Sequence, residues 1–136
     1  MRLHRVSYSD IMKAKRMALQ WSLRGEEICG LLIKEEASIR LLAVKNSAGP
    51  YWGFEMQKQW ISHAIRSRGY SLSQICGSYH SHPWSSSEPG SEDIENVIGK
   101  KLMLIFAVSY HDYRLWEVKR PSCKASPLIA FKPTLG

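Results

Sequence analysis

The run Gly77-Ser78-Tyr79-His80-Ser81-His82-Pro83 carries two histidines at i and i+2, and Asp93 follows eleven positions after His82. In an extended segment the two imidazoles point to one side, because strand side chains alternate faces. The carboxylate arrives from a separate element, past a polar loop carrying Pro89 and Gly90. Neutral imidazoles and an ionised carboxylate suit zinc. Three such ligands leave a tetrahedral ion one open position for water, which is the coordination of a catalytic zinc rather than a structural one.

The rest of the chain supports one folded unit around that run. Its 136 residues have a single-domain length, with a core expected over about 3–118 and a tail over 119–136. A hydrophobic content of 44% with 23% charged residues argues against disorder. The longest apolar run, Leu102 to Val108, is too short to cross a bilayer, so no membrane association is expected. Met1-Arg2-Leu3-His4-Arg5 lacks the apolar stretch of a signal peptide, and a cytoplasmic location is the expectation. Cys29, Cys76 and Cys123 form no C-x-x-C motif, and Cys29 and Cys76 sit in apolar segments as core thiols rather than ligands. The formal charge of +7 is scattered over Lys13, Lys15, Arg16, Lys100, Lys101, Lys119 and Arg120. A nucleic-acid module would gather such cations on one face with interleaved aromatics, so a solvated basic surface is the better account.

Periodicity gives a coarse order of elements. Leu3 to Val6 reads as a short strand. Ser9 or Asp10 caps a helix to about Leu23, with Ile11, Met12, Ala18 and Leu19 at apolar positions. Ile28 to Ile33 is a buried strand, and Ile39 to Val44 its hairpin partner across Lys34-Glu35-Glu36. After a loop broken at Gly49-Pro50, Glu55 to Arg68 forms a second helix closed by Gly69, with Met56, Trp60, Ala64 and Ile61 inward. Gln74 to Tyr79 is a strand delivering the histidines at its end. A Ser-rich loop from Ser85 to Gly90 leads to a short helix through about Ile98. Leu102 to Ser109 and Tyr113 to Val118 are strands joined by a turn at His111-Asp112, and Leu128 to Phe131 suggests one more. Early strand–helix alternation with a late hairpin predicts an α/β domain with a mixed β-sheet flanked by helices.

Amide hydrolysis at such a metal needs a general base near the water that is not itself a ligand. Glu27, directly before the first buried strand, is the candidate, while Glu26 faces solvent. Glu27-Ile28-Cys29-Gly30 followed by Leu31-Leu32 resembles the E-x-C-G segment of the JAMM (MPN+/JAB) zinc metallopeptidases. His80-Ser81-His82-Pro83 with Asp93 resembles that family's H-S/T-H-P and following aspartate, at matching spacing. A lone H-x-H is weak evidence; the combination is specific, and the resemblance is to the compact, stand-alone prokaryotic type. It implies a cytidine-deaminase-like (JAB/MPN) fold and a zinc-dependent (iso)peptidase. His80, His82 and Asp93 become the metal ligands for one Zn2+, and Glu27 the proton shuttle. The implied substrate is a ubiquitin-like or sulfur-carrier protein, free or conjugated, cleaved after its Gly-Gly end. Its tail would lie extended beside a sheet edge, held by main-chain hydrogen bonds.

One position departs from the pattern. The family's serine three residues before the aspartate is replaced by Gly90, and Ser91 follows one place later. Ser91 is therefore the candidate to stabilise the tetrahedral intermediate, a donor whose loss lowers rate by about two to three powers of ten. Weak activity is the expectation, and an inactive MPN-type interaction scaffold is the alternative. A nucleobase deaminase needs H-x-E and P-C-x-x-C, and neither occurs here. Trp84 lines the substrate channel or packs beneath its loop; Trp52 and Phe54 border the same groove. Trp60 and Trp116 are core candidates. Ser85, Ser86 and Ser87 have no base aimed at a hydroxyl. His63 is placed on an exposed helix face and His111 in a hairpin turn.

Overall fold

The computed structural model describes residues 5–51, 53–89 and 102–118, and the backbone alone of 119 and 124–129. Among the described residues, two α-helices and six strands follow in the order α1 (Tyr8–Ser22), β1 (Cys29–Lys34), β2 (Ile39–Val44), α2 (Lys58–Ser67), β3 (Ile75–His82), β4 (Leu102–Ala107), β5 (Asp112–Lys119) and β6 (Lys124–Ile129). The strands form one sheet in the order β2-β1-β3-β4-β5-β6. β3 and β4 run parallel; every other neighbouring pair is antiparallel. The expected α/β domain with a mixed sheet is what the chain builds.

β1 and β4 read as unbroken apolar runs because both their faces are covered. On one face α1 seats Ile11, Ala14 and Ala18 against Leu32, Tyr79, Leu104, Phe106 and Leu115. On the other, α2 brings Ala64 and Ile65 onto Leu31, Ile33, Leu42, Val44 and Ile75. Met103, Ile105, Trp116 and Val118 form a third cluster, and strand alternation puts them on that second face. A gap between the two apolar patches of the second face is left to β3, and His80 and His82 lie there.

Several boundaries moved for identifiable reasons. Ser7, not Ser9 or Asp10, caps α1, its hydroxyl accepting from the Asp10 N–H at 3.3 Å. The Asp10 carboxylate is engaged elsewhere, by Arg40 Nε at 2.8 Å and by the Leu41 N–H at 3.0 Å. The buried stripe of α1 is Ile11, Ala14 and Ala18, an i, i+3, i+7 set, and Leu19 faces solvent. α2 begins at Lys58 because the Glu55 N–H is held by Asn46 Oδ1 at 3.0 Å. β3 extends three residues past the expected Tyr79, so His80 lies inside the strand and His82 is its last residue. Val6 makes a single parallel bridge to Ile39 in place of a strand. The last strand starts at Lys124, four residues before the expected Leu128, and extends the sheet into the segment read as a tail. The helix expected through Ile98 lies outside the described residues.

Asp10 ties α1 to the outer edge of β2. Burial pushes its pKa upward, but the Arg40 and Leu41 hydrogen bonds and the charges of Arg40 and Lys13 outweigh this, leaving it below the ordinary 3.8. A carboxylate with a depressed folded-state pKa contributes stability above its unfolded value and loses it as pH falls through the folded value. Asp10→Asn is expected to lower unfolding free energy by about 1–3 kcal/mol at neutral pH. In urea titrations the difference between variant and parent should be full above pH 3.8 and shrink below it.

Candidate metal centre

The site is assembled by the register of β1 on β3. Cys29 pairs with His80, and the ladder continues past the strand's formal start through Ser81 N–H to Ile28 O at 3.0 Å. Ile28 N–H in turn donates to Ser81 Oγ at 2.9 Å. The serine between the histidines therefore locks the strand end that presents them, a role that spacing alone did not reveal. One step further along the same register, Glu27 comes opposite His82. Glu27 shares the face of Cys29 by alternation, and its charge reaches the Cys29 thiol. Burial chiefly, with that charge added, pushes the thiol up to about 12. Cys29 is thus a neutral core thiol donating to Val44 O, as its apolar context implied, and not a thiolate ligand.

The histidines are buried, His80 completely. Their Nε2 atoms lie 3.1 Å apart. His82 Nδ1 sits 2.7 Å from the Ser86 carbonyl oxygen. A carbonyl only accepts, so Nδ1 carries a proton, and in the neutral ring Nε2 is then left with a lone pair. A lone pair on His80 Nε2 at this distance repels the first unless a proton or a cation lies between them. Two zinc–nitrogen bonds at a tetrahedral angle set the nitrogens about 3.3 Å apart. The pair thus fits zinc in spacing and, for His82, in tautomer. Fixing the distal nitrogen through a backbone carbonyl is how metal-binding histidines are oriented.

Phe54 closes the second side of His80, stacked at 4.4 Å between centroids. The loop after β3 is fastened from the β4–β5 end. Ser109 Oγ donates to Pro83 O at 2.6 Å, Trp116 Nε1 to Ser87 O at 2.7 Å, and Ser87 Oγ to Asp112 Oδ2 at 3.2 Å. Ser86 and Ser87 thus anchor the loop, in keeping with their lack of a nucleophile's surroundings. His111 adopts a left-handed turn conformation at φ 51°, as expected of a hairpin residue.

Asn46 is the residue that sequence reasoning passed over. Its amide nitrogen donates to Glu27 O at 2.9 Å and to Gly53 O at 3.1 Å, while its oxygen accepts from Ala48 and Glu55 N–H groups. It binds the backbone that carries Glu27 to the loop that carries Phe54. The only hint was an asparagine opening the Gly-Pro loop, a turn-forming residue type. Asp93, Ser91, Gly90 and Trp52 lie outside the described residues. Among the described residues no group of three His, Cys, Asp or Glu side chains converges. No described helix is long and apolar enough to cross a membrane.

The family described as prokaryotic homologs of the JAB domain matches residues 9–119. The chain belongs to that family. Nothing among curated proteins matches it. A solution structure of a protein from Desulfitobacterium hafniense superposes with a TM-score of 0.70 at 19% identity, covering 92% of this chain and 89% of its own. A JAB1/MPN domain protein from Archaeoglobus fulgidus gives 0.55 at 18% identity, covering 83% and 88%. A solution structure of a protein from Salinibacter ruber gives 0.60 at 14% identity, covering 95% and 91%. At such identities the likeness speaks for the fold, which is the JAB/MPN fold expected from the E-x-C-G and H-S-H-P segments.

Asn46→Ala removes four hydrogen bonds at the junction of two loops and is expected to cost about 2 kcal/mol. Chemical denaturation reads this directly. Asn46→Asp should be at least as damaging, since it sets a carboxylate against two carbonyl oxygens.

Proposed function

We propose that this protein is a zinc-dependent hydrolase cleaving the amide bond after the Gly-Gly end of a ubiquitin-like or sulfur-carrier protein. The observation that carries the reading is the paired His80 and His82 Nε2 atoms, with the His82 tautomer fixed by Ser86. His80 and His82 would hold the ion together with Asp93. Zinc there supplies Lewis acidity, making water a stronger acid and drawing electron density from the scissile carbonyl.

The chain's own residues do the rest. Glu27, opposite His82 and on the same face, takes a proton from the attacking water and returns it to the departing amine nitrogen. Hydroxyl adds to the carbonyl carbon, the C–N bond breaks, and the products are a carboxylate and an amine. Phe54 and the flanking apolar clusters keep water from the buried side of His80, which strengthens electrostatics in the site. Ser91 is the candidate oxyanion donor in place of the serine that Gly90 displaces.

The tail's path is supported by the outer edge of β2. Ile39 uses its N–H and C=O on Arg5 and Ser7, and the Leu41 N–H is taken by Asp10. Alternation turns the Ala43 backbone groups to that same outer side. They border a groove of about 510 Å³ between α1 and the sheet, whose lining includes Met17, Trp21, Leu41, Ala43, Asn46 and Glu27. An extended Gly-Gly tail fits such an edge because glycines allow close backbone approach.

Elemental analysis should find one zinc per chain, lost in His82→Ala. Glu27→Gln should keep the zinc and lower turnover on Gly-Gly fusions by about two to four powers of ten, read by product mass with and without chelator. Purification without stoichiometric metal would instead mark an interaction scaffold. Full activity of Glu27→Gln would remove Glu27 from the mechanism.

A further inference from the structure

Two exposed aromatic rings stand at the end of the β1–β3 pair. Tyr51 and Trp84 stack with centroids 5.5 Å apart and planes 9° from parallel, yet remain 72% and 59% exposed. A stacked pair so open to water presents apolar surface that the core does not use. Trp84 lies two residues beyond His82. Tyr51 reaches in from the loop between β2 and α2, and its N–H donates to Gly25 O at 2.9 Å. Gly25 lies two residues before Glu27. Extending the Cys29–His80 register through the Ser81–Ile28 bond sets Glu27 opposite His82. The stack therefore bridges the cleft just past the Glu27–His82 row.

Its placement is enforced by the backbone. Tyr51 has φ +69°, a region that side-chain-bearing residues rarely adopt. Gly25, at φ +70°, makes room for the ring: a Cβ there would fall 2.6 Å from Tyr51 Cζ. On the other side, the Ser109–Pro83 and His82–Ser86 hydrogen bonds hold the loop that carries Trp84.

The inference rests on the hydrolase reading, in which the acyl tail reaches Glu27 along the β2 edge and the amine side continues beyond it. We propose that the Tyr51–Trp84 stack is the platform for the leaving-group side of the substrate. It takes a residue with a methylene stem or a ring, such as lysine joined through its ε-amine, and disfavours an acidic one. Flat apolar faces cover methylene stems well. The negative ring faces attract the ammonium that forms as the amine departs, and they repel a carboxylate. Tyr51 and Trp84 would thus determine specificity without taking part in proton transfer.

The test uses three reporters that share a Gly-Gly acyl side and differ after the scissile bond: ε-linked lysine, phenylalanine and aspartate. Parent protein should show kcat/KM about tenfold higher for lysine and phenylalanine than for aspartate. Trp84→Ala, and Tyr51→Gly, which also relieves the left-handed backbone, should bring the ratios to within about twofold. Unchanged ratios in both variants overturn the platform. If no reporter is cleaved, the hydrolase reading fails, and calorimetric binding of the three reporters to Glu27→Gln protein decides the platform instead. Weaker binding of the lysine and phenylalanine reporters once Trp84→Ala is added supports it. Equal binding overturns it.

Discussion

The pairing of β1 with β3 is the constraint on which everything else rests. Cys29 opposite His80, sealed by the two Ile28–Ser81 hydrogen bonds, decides which face Glu27 shares with the histidines. A slip of one residue would send Glu27 to the α1 face and leave both imidazoles facing an apolar wall. Gly30 protects that register. A Cβ there would collide with the Leu42 carbonyl oxygen and the Tyr79 ring, so β1 can sit flush between β2 and β3 only as glycine. The Gly of E-x-C-G is a packing requirement, while its Glu is the proposed base.

Burying two imidazoles at the middle of a sheet is expensive unless their polar atoms are satisfied. The chain meets part of this with the Ser86 carbonyl on His82 and a confined polar strip. Ser86 O fixes His82, Phe54 covers His80, and the apolar clusters under α2 and around Trp116 begin on either side. Ser86 and Ser87 serve this arrangement through their carbonyl oxygens and through Ser87's bond to Asp112. The loop is thereby a structural wall of the site before it is anything else.

Much of this was legible in the sequence, and the reasons are physical. β1, β2 and β4 were readable because apolar runs bounded by charge leave little alternative; β2 was located residue for residue at Ile39–Val44. The histidines and Glu27 were singled out because metal chemistry restricts residue type and spacing together, and the β1–β3 register brings Glu27 level with His82. Helix starts were not, since Ser7, Ser9 and Asp10 are all competent caps, and Arg40, thirty residues away, claims Asp10. Asn46 and Ser81 were invisible for the same reason. Their work is hydrogen bonding to backbone brought near by the fold, and backbone leaves no mark in a sequence. The final strand was misplaced because Lys124 to Pro127 carries no apolar alternation.

β3 lies in the interior of the sheet, hydrogen-bonded to β1 on one side and β4 on the other. Fraying and local opening begin at edges and loops, where few bonds must break. The histidine pair therefore has no partly unfolded state of its own: separating His80 from His82 means withdrawing a central strand, which is nearly the whole unfolding reaction. Any ion held there would come and go only through the open side of a fully folded site. Its exchange would then be governed by the loops around it, and its binding free energy would add almost undiminished to the stability of the entire domain.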